Sequence, residues 1–190
     1  PDPYQFWTEL EIHQQVDTLR DALNRGGRLF VEADGTEWSV KLGGLDRRRA
    51  HFGSVRHMVL VGCGTSLYAA QFASRVLRTI TPLATVQVFD ASEFSPVDVR
   101  QLEAEEVVVV LVSQSGETKD CQRVLAWAKE RSFLTVGVVN AVGSWLARQT
   151  DCGIYLNAGR EVGVASTKSF TSQCVVLTLL ALWLCQGSTQ

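Results

Sequence analysis

The sequence lacks the residue patterns that hold metals, disulfides or nucleotides. Its five cysteines are scattered without a CxxC pair and only three histidines accompany them, which argues against a zinc site or a disulfide framework. Scattered cysteines of odd number favour reduced thiols, and therefore a cytoplasmic protein. No glycine-rich turn is followed by GK[ST], and the GxSxG elbow of serine hydrolases is missing. We therefore expect neither a metal nor a cofactor.

Charge and long apolar runs are also modest. A net charge of -2 over 190 residues gives no electrostatic reason to expect nucleic acid or an anionic membrane as a partner. The apolar stretch at 174–185 falls short of the ~20 residues that span a bilayer, so we expect a buried helix there. No basic segment followed by an apolar one opens the sequence. The sequence begins at Pro1 and its only methionine is Met58, so we expect a fragment of a longer polypeptide.

Most of the chain alternates between strand-like and helical patterns. Runs such as residues 107–112 contain no alternating polar positions, which indicates a strand buried on both faces in a parallel sheet. The alternation predicts an α/β fold, a three-layer α/β/α sandwich around a five-stranded parallel sheet. The expected strands are residues 57–61, 85–89, 107–112, 134–139 and 153–156, and the expected helices are residues 67–79, 94–102, 119–131, 144–149 and 167–185.

The first 44 residues have a different pattern. Apolar residues at helical spacing over residues 3–24 predict an amphipathic helix that ends near Gly26. A turn signal at Asp34-Gly35 then indicates a hairpin or an irregular extended arm. We therefore divide the chain into an N-terminal helix and arm over residues 1–44 and a single domain over residues 45–190.

Three Ser/Thr-rich loops carry the functional signal. They are residues 61–66, 113–118 and 163–168; the first two directly follow predicted strands, and all three lead into predicted helices. A helix that begins at the carboxyl end of a parallel strand presents free N–H groups and the positive end of its dipole. Hydroxyl groups beside that terminus add directed donors. Together the loops predict a cradle for a phosphate monoester.

Other interpretations of these residues stay open. Each hydroxyl could simply cap a helix. Gly62-Cys63-Gly64 resembles the start of a dinucleotide-binding turn and Asp90 could hold a ribose, although Leu67 stands where the third glycine is needed. Glu117 and Glu161 could orient sugar hydroxyls or complement a helix N-terminus. Lys168 could pair with a phosphate or with Glu161.

These loops, with the segments around them, resemble the SIS (sugar isomerase) domain family. The matching stretches are Gly64-Thr65-Ser66, SQSGET at 113–118, NAGREVGVASTK at 157–168 and EIHQQ at 11–15. The SxSGxT pattern is typical of SIS domains in general. The run ending in GVASTK is similar to the first SIS half of the glutamine:fructose-6-phosphate amidotransferases, and this resemblance covers essentially the whole chain.

The resemblance implies a set of functional expectations. The substrate would be fructose 6-phosphate or glucose 6-phosphate. The catalytic groups would belong to a second SIS half, and a glutaminase domain would supply ammonia, so we expect no catalytic residue in this segment. Surplus apolar surface on the first and last helices suggests a homodimer. The alternative is a stand-alone SIS module that senses a hexose phosphate and regulates a partner. The substrate-binding residues implied by the resemblance are Thr65, Ser66, Ser113, Gln114, Ser115, Thr118, Val164 and Ser166.

Overall fold

Two short helices and a hairpin form the N-terminal segment. The structure, a computed structural model, describes residues 2–32, 35, 37–99 and 102–187. Helices α1 (Trp7–His13) and α2 (Gln15–Ala22) adjoin at Gln14, where a single helix was expected. Strands β1 (Leu29–Val31) and β2 (Trp38–Val40) pair antiparallel, so the chain forms the hairpin rather than an irregular arm. Of its expected turn, Asp34 lies outside the described residues.

The central sheet contains five parallel strands. Two short helices that the sequence did not predict, α3 (Gly43–Asp46) and α4 (Arg49–Phe52), lead into it. The strands follow in the order β4-β3-β5-β6-β7, which is the flavodoxin-like order 2-1-3-4-5 for the sheet counted by itself. They are β3 (His57–Gly62), β4 (Thr85–Asp90), β5 (Val107–Ser113), β6 (Leu134–Val139) and β7 (Cys152–Tyr155).

Helices cover both faces of this sheet. Alternate residues of β3 enter different cores: Met58 and Leu60 pack with one cluster, and Val59 and Val61 with the other. The first cluster includes the buried residues of α2, α5 (Thr65–Ile80) and α8 (Lys168–Gly187). The second includes those of α6 (Lys119–Glu130) and α7 (Trp145–Gln149). The expected three-layer α/β/α sandwich is confirmed.

The helix expected over 94–102 is wrong. Of the described residues in that range, only Pro96–Val99 form a helical turn, and it is a short 3-10 turn. Pro96 disfavours helical backbone at Ser95, and the β-branched Val97 and Val99 lower the helix propensity further. Phe94 is nevertheless buried, so its apolar spacing reflects packing against the second core cluster.

Helix α8 is long and strongly apolar. Within the described part of the chain, its stretch Lys168–Gln186 is the one helix that could span a membrane by length and composition, with a mean hydropathy of 1.4. More than half of that apolar window, 56%, is buried inside the structure. A core helix of a globular domain meets the same criterion. The packing of α8 against α5 and α2 therefore explains its composition.

Candidate functional site

The first two Ser/Thr loops meet at the point where the strand order reverses. Strand β3 pairs with β4 on one side and with β5 on the other. After β3 the chain continues to β4 at one edge of the sheet, and after β5 it continues to β6 toward the other edge. Open α/β sheets bind ligands in the crevice that forms there, at the carboxyl ends of the strands. The third loop, which precedes α8, reaches the same place.

A cavity of about 440 Å³ lies between the three loops. All eight residues expected to bind substrate line it, so the structure brings together side chains that the sequence spreads over a hundred positions. Its lining consists of Cys63, Gly64, Thr65, Ser66, Val112, Ser113, Gln114, Ser115, Thr118, Val164, Ala165 and Ser166. Neither lysine nor arginine occurs among these lining residues, so a bound anion would depend on hydroxyls and on helix N-termini.

The second loop fixes its hydroxyls through its own backbone. Ser115 Oγ accepts the N–H of Glu117 at 3.1 Å, which leaves the Ser115 hydroxyl hydrogen free to be donated. Ser113 Oγ accepts the N–H of Gly116 at 3.0 Å and lies 3.0 Å from Thr118 Oγ1. One of these two hydroxyls donates to the other, so one hydrogen of the pair remains for a ligand. The loop therefore presents two hydroxyl donors to the cleft.

Two helices begin at the cleft. Helix α5 starts at Thr65, directly after Gly64, which has a positive φ of 57°. Helix α6 starts at Lys119, directly after Thr118. The carbonyl of Gln114 accepts the N–H groups of Asn140 and Ala141, and these bonds hold the second loop against the segment after β6. The positive ends of both helix dipoles thus favour negative charge in the cavity.

In the third loop, Glu161 complements the N-terminus of α8. Its carboxylate accepts the backbone N–H of Thr167 at 3.0 Å and that of Ser169 at 3.2 Å. It also accepts the hydroxyl hydrogen of Ser166 at 3.0 Å, so Ser166 offers a ligand its oxygen as an acceptor. Val164 is fully exposed on the rim of the cavity. Of the two interpretations of Glu161, the structure shows the capping contact.

The other two charged residues beside the loops have partners outside the cavity. Glu117 Oε1 accepts the N–H of Trp145, the first residue of α7, at 2.8 Å. Lys168 is buried and its ammonium donates to Gln14 Oε1 at 2.8 Å. It therefore joins the third loop to the N-terminal segment, which neither of the two expectations for Lys168 included.

Cys63 and Asp90 lie at the edge of the site. Burial, with the nearby charges of Asp90 and Asp120, raises the pKa of the Cys63 thiol. A raised pKa keeps the thiol protonated at neutral pH and so makes it a poor nucleophile. The side chain and backbone of Ser92 donate to Asp90 and hold the pKa of that carboxyl below its usual range. One oxygen of the carboxylate, Oδ1, is thus engaged in a local turn.

Gln173 was not identified from the sequence, and it contacts the site residue Ser66 from the buried core. It is fully buried in α8, and its Nε2 donates to Ser66 Oγ at 2.9 Å. The available signal was a polar residue inside an apolar helix, since such a residue needs a partner when it is buried.

Fold and site together define the class: an α/β domain of flavodoxin-like strand order with a hydroxyl-lined cleft at its switch point. The family model for the SIS domain matches residues 51–183, and the chain belongs to that family.

Relatives with curated names are longer proteins. The chain is 44% identical over 182 residues to glutamine–fructose-6-phosphate aminotransferase [isomerizing] 1 of Rattus norvegicus, covering 96% of this chain and 25% of that protein. It is 39% identical over 185 residues to a probable glutamine–fructose-6-phosphate aminotransferase [isomerizing] of Acanthamoeba polyphaga mimivirus, covering 96% of this chain and 28% of that protein. The chain therefore spans about a quarter of the length of these relatives.

A solved structure shows the same fold. The C-terminal domain of glucosamine-fructose-6-phosphate aminotransferase from Francisella tularensis superposes with a TM-score of 0.81 at 28% identity. The match covers 99% of this chain and 49% of that chain, so the present chain is similar to half of that domain.

Proposed function

We propose that this chain binds the phosphate group of a hexose 6-phosphate, fructose 6-phosphate or glucose 6-phosphate, in the cleft at the switch point. The observation that carries the proposal is the hydrogen-bond accounting of the loops. Ser115 Oγ accepts a backbone N–H, so its hydroxyl hydrogen remains available to the cavity. Within the Ser113–Thr118 pair one hydroxyl donates to the other, so one hydroxyl hydrogen of the pair also remains available. A phosphate dianion only accepts hydrogen bonds, so it complements such a site.

The remaining expected residues have consistent roles. Thr65 and Ser66 stand at the N-terminus of α5, where the helix dipole supports the phosphate charge, and Gln114 adds an amide to the second loop. Val164 and Ser166, from the third loop, line the same cavity and would contact the sugar. Ser166 would accept a hydrogen bond from a sugar hydroxyl, because its own hydrogen is donated to Glu161.

We further propose that the chain is the first SIS half of a glutamine:fructose-6-phosphate amidotransferase. The support is the similarity to relatives with that name and the fraction of their length that the chain covers. In the whole enzyme, ammonia released from glutamine would attack C2 of open-chain fructose 6-phosphate with loss of water, and proton transfer between C1 and C2 would give glucosamine 6-phosphate. This half would hold the substrate by its phosphate, so that binding energy far from the reacting carbons positions them.

The partners under this proposal are a glutaminase domain, a second SIS half and a second copy of the chain. We propose a cytoplasmic location, because all five cysteines are free thiols. Reading the parent open reading frame tests this part. A glutaminase and a second SIS half are expected there, and a DNA-binding domain in their place would contradict the amidotransferase assignment while leaving phosphate binding intact.

Calorimetric titration with fructose 6-phosphate tests the binding proposal. Ser115→Ala removes a hydroxyl donor to a charged group, which costs about 1.5 to 3 kcal/mol and weakens binding roughly 10- to 100-fold. Ser39→Ala is the matched control, because Ser39 is exposed on β2, away from the cleft. Equal affinity of wild type and Ser115→Ala would remove Ser115 from the site. Absence of binding by the wild-type chain would overturn the proposal.

A further inference from the structure

Gln173 and Ser66 connect the core of the domain to the cleft. Gln173 is fully buried on α8 and does not line the cavity, whereas Ser66 lies at the N-terminus of α5 and does. The small side chains of Ala69, Ala70 and Ala73 on α5 are buried in the core cluster that contains α8, and they allow the two helices to pack closely. At this contact Gln173 Nε2 donates to Ser66 Oγ over 2.9 Å.

This hydrogen bond restricts the directions in which the Ser66 hydroxyl can point. A serine hydroxyl carries one hydrogen and two lone pairs. The amide of Gln173 occupies a lone pair from the buried side, so the hydrogen must find an acceptor elsewhere. Among the residues that the structure describes, none accepts it, and the open direction is the cleft. The Ser66 hydroxyl therefore keeps its hydrogen available for a ligand in the cavity.

We propose that Gln173 is a positioning residue that holds the Ser66 hydroxyl as a hydrogen-bond donor to the bound phosphate monoester. This inference rests on the proposed phosphate binding and deepens it. It assigns a binding function to a residue that touches no ligand. Because the amide of Gln173 restricts the rotation of this hydroxyl, the hydroxyl loses less freedom when it donates to an acceptor-only group.

A double-mutant cycle separates positioning from general packing. Fructose 6-phosphate is titrated by calorimetry into wild type, Ser66→Ala, Gln173→Met and the double variant. Methionine nearly conserves the glutamine volume but cannot donate. We expect Gln173→Met to weaken binding about 3- to 10-fold in the wild-type background and by less than about 2-fold in the Ser66→Ala background. Equal losses in both backgrounds would overturn the positioning role.

The sign of the effect is a further test. If the Gln173 amide were reversed, its oxygen would take the Ser66 hydrogen, and Gln173→Met would release that hydrogen and strengthen binding. Stronger binding would therefore contradict the inference. If wild type does not bind fructose 6-phosphate, the proposed function fails; if wild type binds and Gln173→Met binds equally well, only the positioning role fails.

Gln186→Met is the matched control, because it makes the same change on the same helix. Gln186 forms two hydrogen bonds with the backbone of Val40, far from the cleft. Gln186→Met should lower the melting temperature without changing the affinity for fructose 6-phosphate.

Should Gln173→Met not fold, the side-chain amide resonances of Gln173 in wild type and Ser66→Ala give a second measurement. Phosphate binding should shift them in wild type only, and unchanged wild-type resonances on saturation would overturn the inference.

Discussion

The carboxylate of Glu11 accepts the backbone N–H of Gly163 at 3.1 Å, across most of the length of the chain. It also accepts the N–H of Val162 at 2.5 Å, and the Glu11 side chain is almost completely buried. A Cβ at residue 163 would stand 2.6 Å from Glu11 Oε2 and 2.8 Å from Thr8 Oγ1, so any other residue there would force these side chains to shift. Helix α1 therefore shapes the third loop of the cleft.

Glu11→Gln should destabilise the chain and loosen the third loop. The amide keeps the size of the carboxylate but turns one of its acceptors into a donor that faces backbone N–H groups. We expect the free energy of unfolding to fall by about 1 to 3 kcal/mol, measured by urea denaturation. Glu9→Gln, on the exposed face of α1, is the control and should cost little. Equal stability of the two variants would show that Glu11 does not hold the loop.

Gly116→Ala should destabilise the second loop for two reasons, the positive φ of residue 116 and the overlap of the new methyl group with Ser144. Gly116 has a φ of 65°, and a Cβ there would overlap Ser144, whose own Cβ would be 2.6 Å away. Gly143→Ala is the control, because Gly143 has a φ of 72° and nothing within 4 Å of an added Cβ. We expect Gly116→Ala to lose fructose 6-phosphate affinity and to be less stable than Gly143→Ala by about 1 to 3 kcal/mol.

Ser144→Gly should restore part of the stability lost in Gly116→Ala, because it removes the atoms that the new methyl group overlaps. Thermal unfolding of the single and double variants measures this. No rescue would mean that backbone strain, rather than the overlap with Ser144, causes the loss.

The three central strands, β3, β5 and β6, were predictable because they are buried on both faces. An unbroken apolar run has few alternative structures. Each expected strand, including the partly exposed edge strands β4 and β7, agrees with the observed one to within one residue at either end. The helix expected at 94–102 failed because the same apolar spacing can come from an irregular segment that packs on a core. The break at Gln14 between α1 and α2 has no sequence signal such as proline or glycine.

The residues that line the cleft were predictable from local sequence, but the residues that hold the cleft loops in place were not. Hydroxyl-rich loops directly after parallel strands must meet at one sheet edge, so the residues of the first two loops could be grouped without a structure. The contacts of Glu11, Lys168 and Gln173 join positions far apart in the sequence, and periodicity carries no information on such pairs. The proposed boundary at residues 44 and 45 stays a prediction. The contacts of Glu11 with Gly163 and of Gln14 with Lys168 bind the N-terminal segment to the domain that follows.

Glu161→Gln should lower the stability of the chain but should not change its catalytic activity, because we expect the wild-type chain to be inactive by itself. Glu161 caps α8 with two backbone contacts, so its carboxylate is not free to remove a proton from a substrate. Replacing it should cost about 1 kcal/mol of stability. With fructose 6-phosphate and ammonium salts, we expect neither wild type nor Glu161→Gln to form glucosamine 6-phosphate or glucose 6-phosphate. Wild-type turnover that Glu161→Gln abolishes would make Glu161 a base.

Self-association should depend on α5 rather than on α8. The apolar surface of α8 is largely buried within the chain, whereas Tyr68 and Phe72 are 60% and 45% exposed. They lie four residues apart on one face of α5, where a second copy could cover both. We expect a dimer in sedimentation at micromolar concentration and weaker association for Phe72→Gln. Val142→Gln, at an 81% exposed loop position, is the control. A wild-type monomer at high micromolar concentration would contradict this prediction.

Cys121 should make the chain less stable at alkaline pH. Burial raises the pKa of its thiol to about 12, from 9.0 for an unperturbed thiol. Above pH 9 the unfolded chain releases this proton while the folded chain retains it, so the free energy of unfolding falls as the pH rises toward 12. Between pH 8 and pH 10 the expected loss is about 1.4 kcal/mol.

Cys121→Val conserves the apolar packing of this buried site in α6 and removes the titrating group. Urea unfolding of wild type and variant at pH 8 and pH 10 measures the difference. The variant should lose about 1.4 kcal/mol less than wild type over this interval, because titrating groups that do not interact with Cys121 contribute equally to both. The same pH dependence in the two proteins would show that Cys121 ionises as readily in the folded chain as in the unfolded one, and that the packing around α6 admits water.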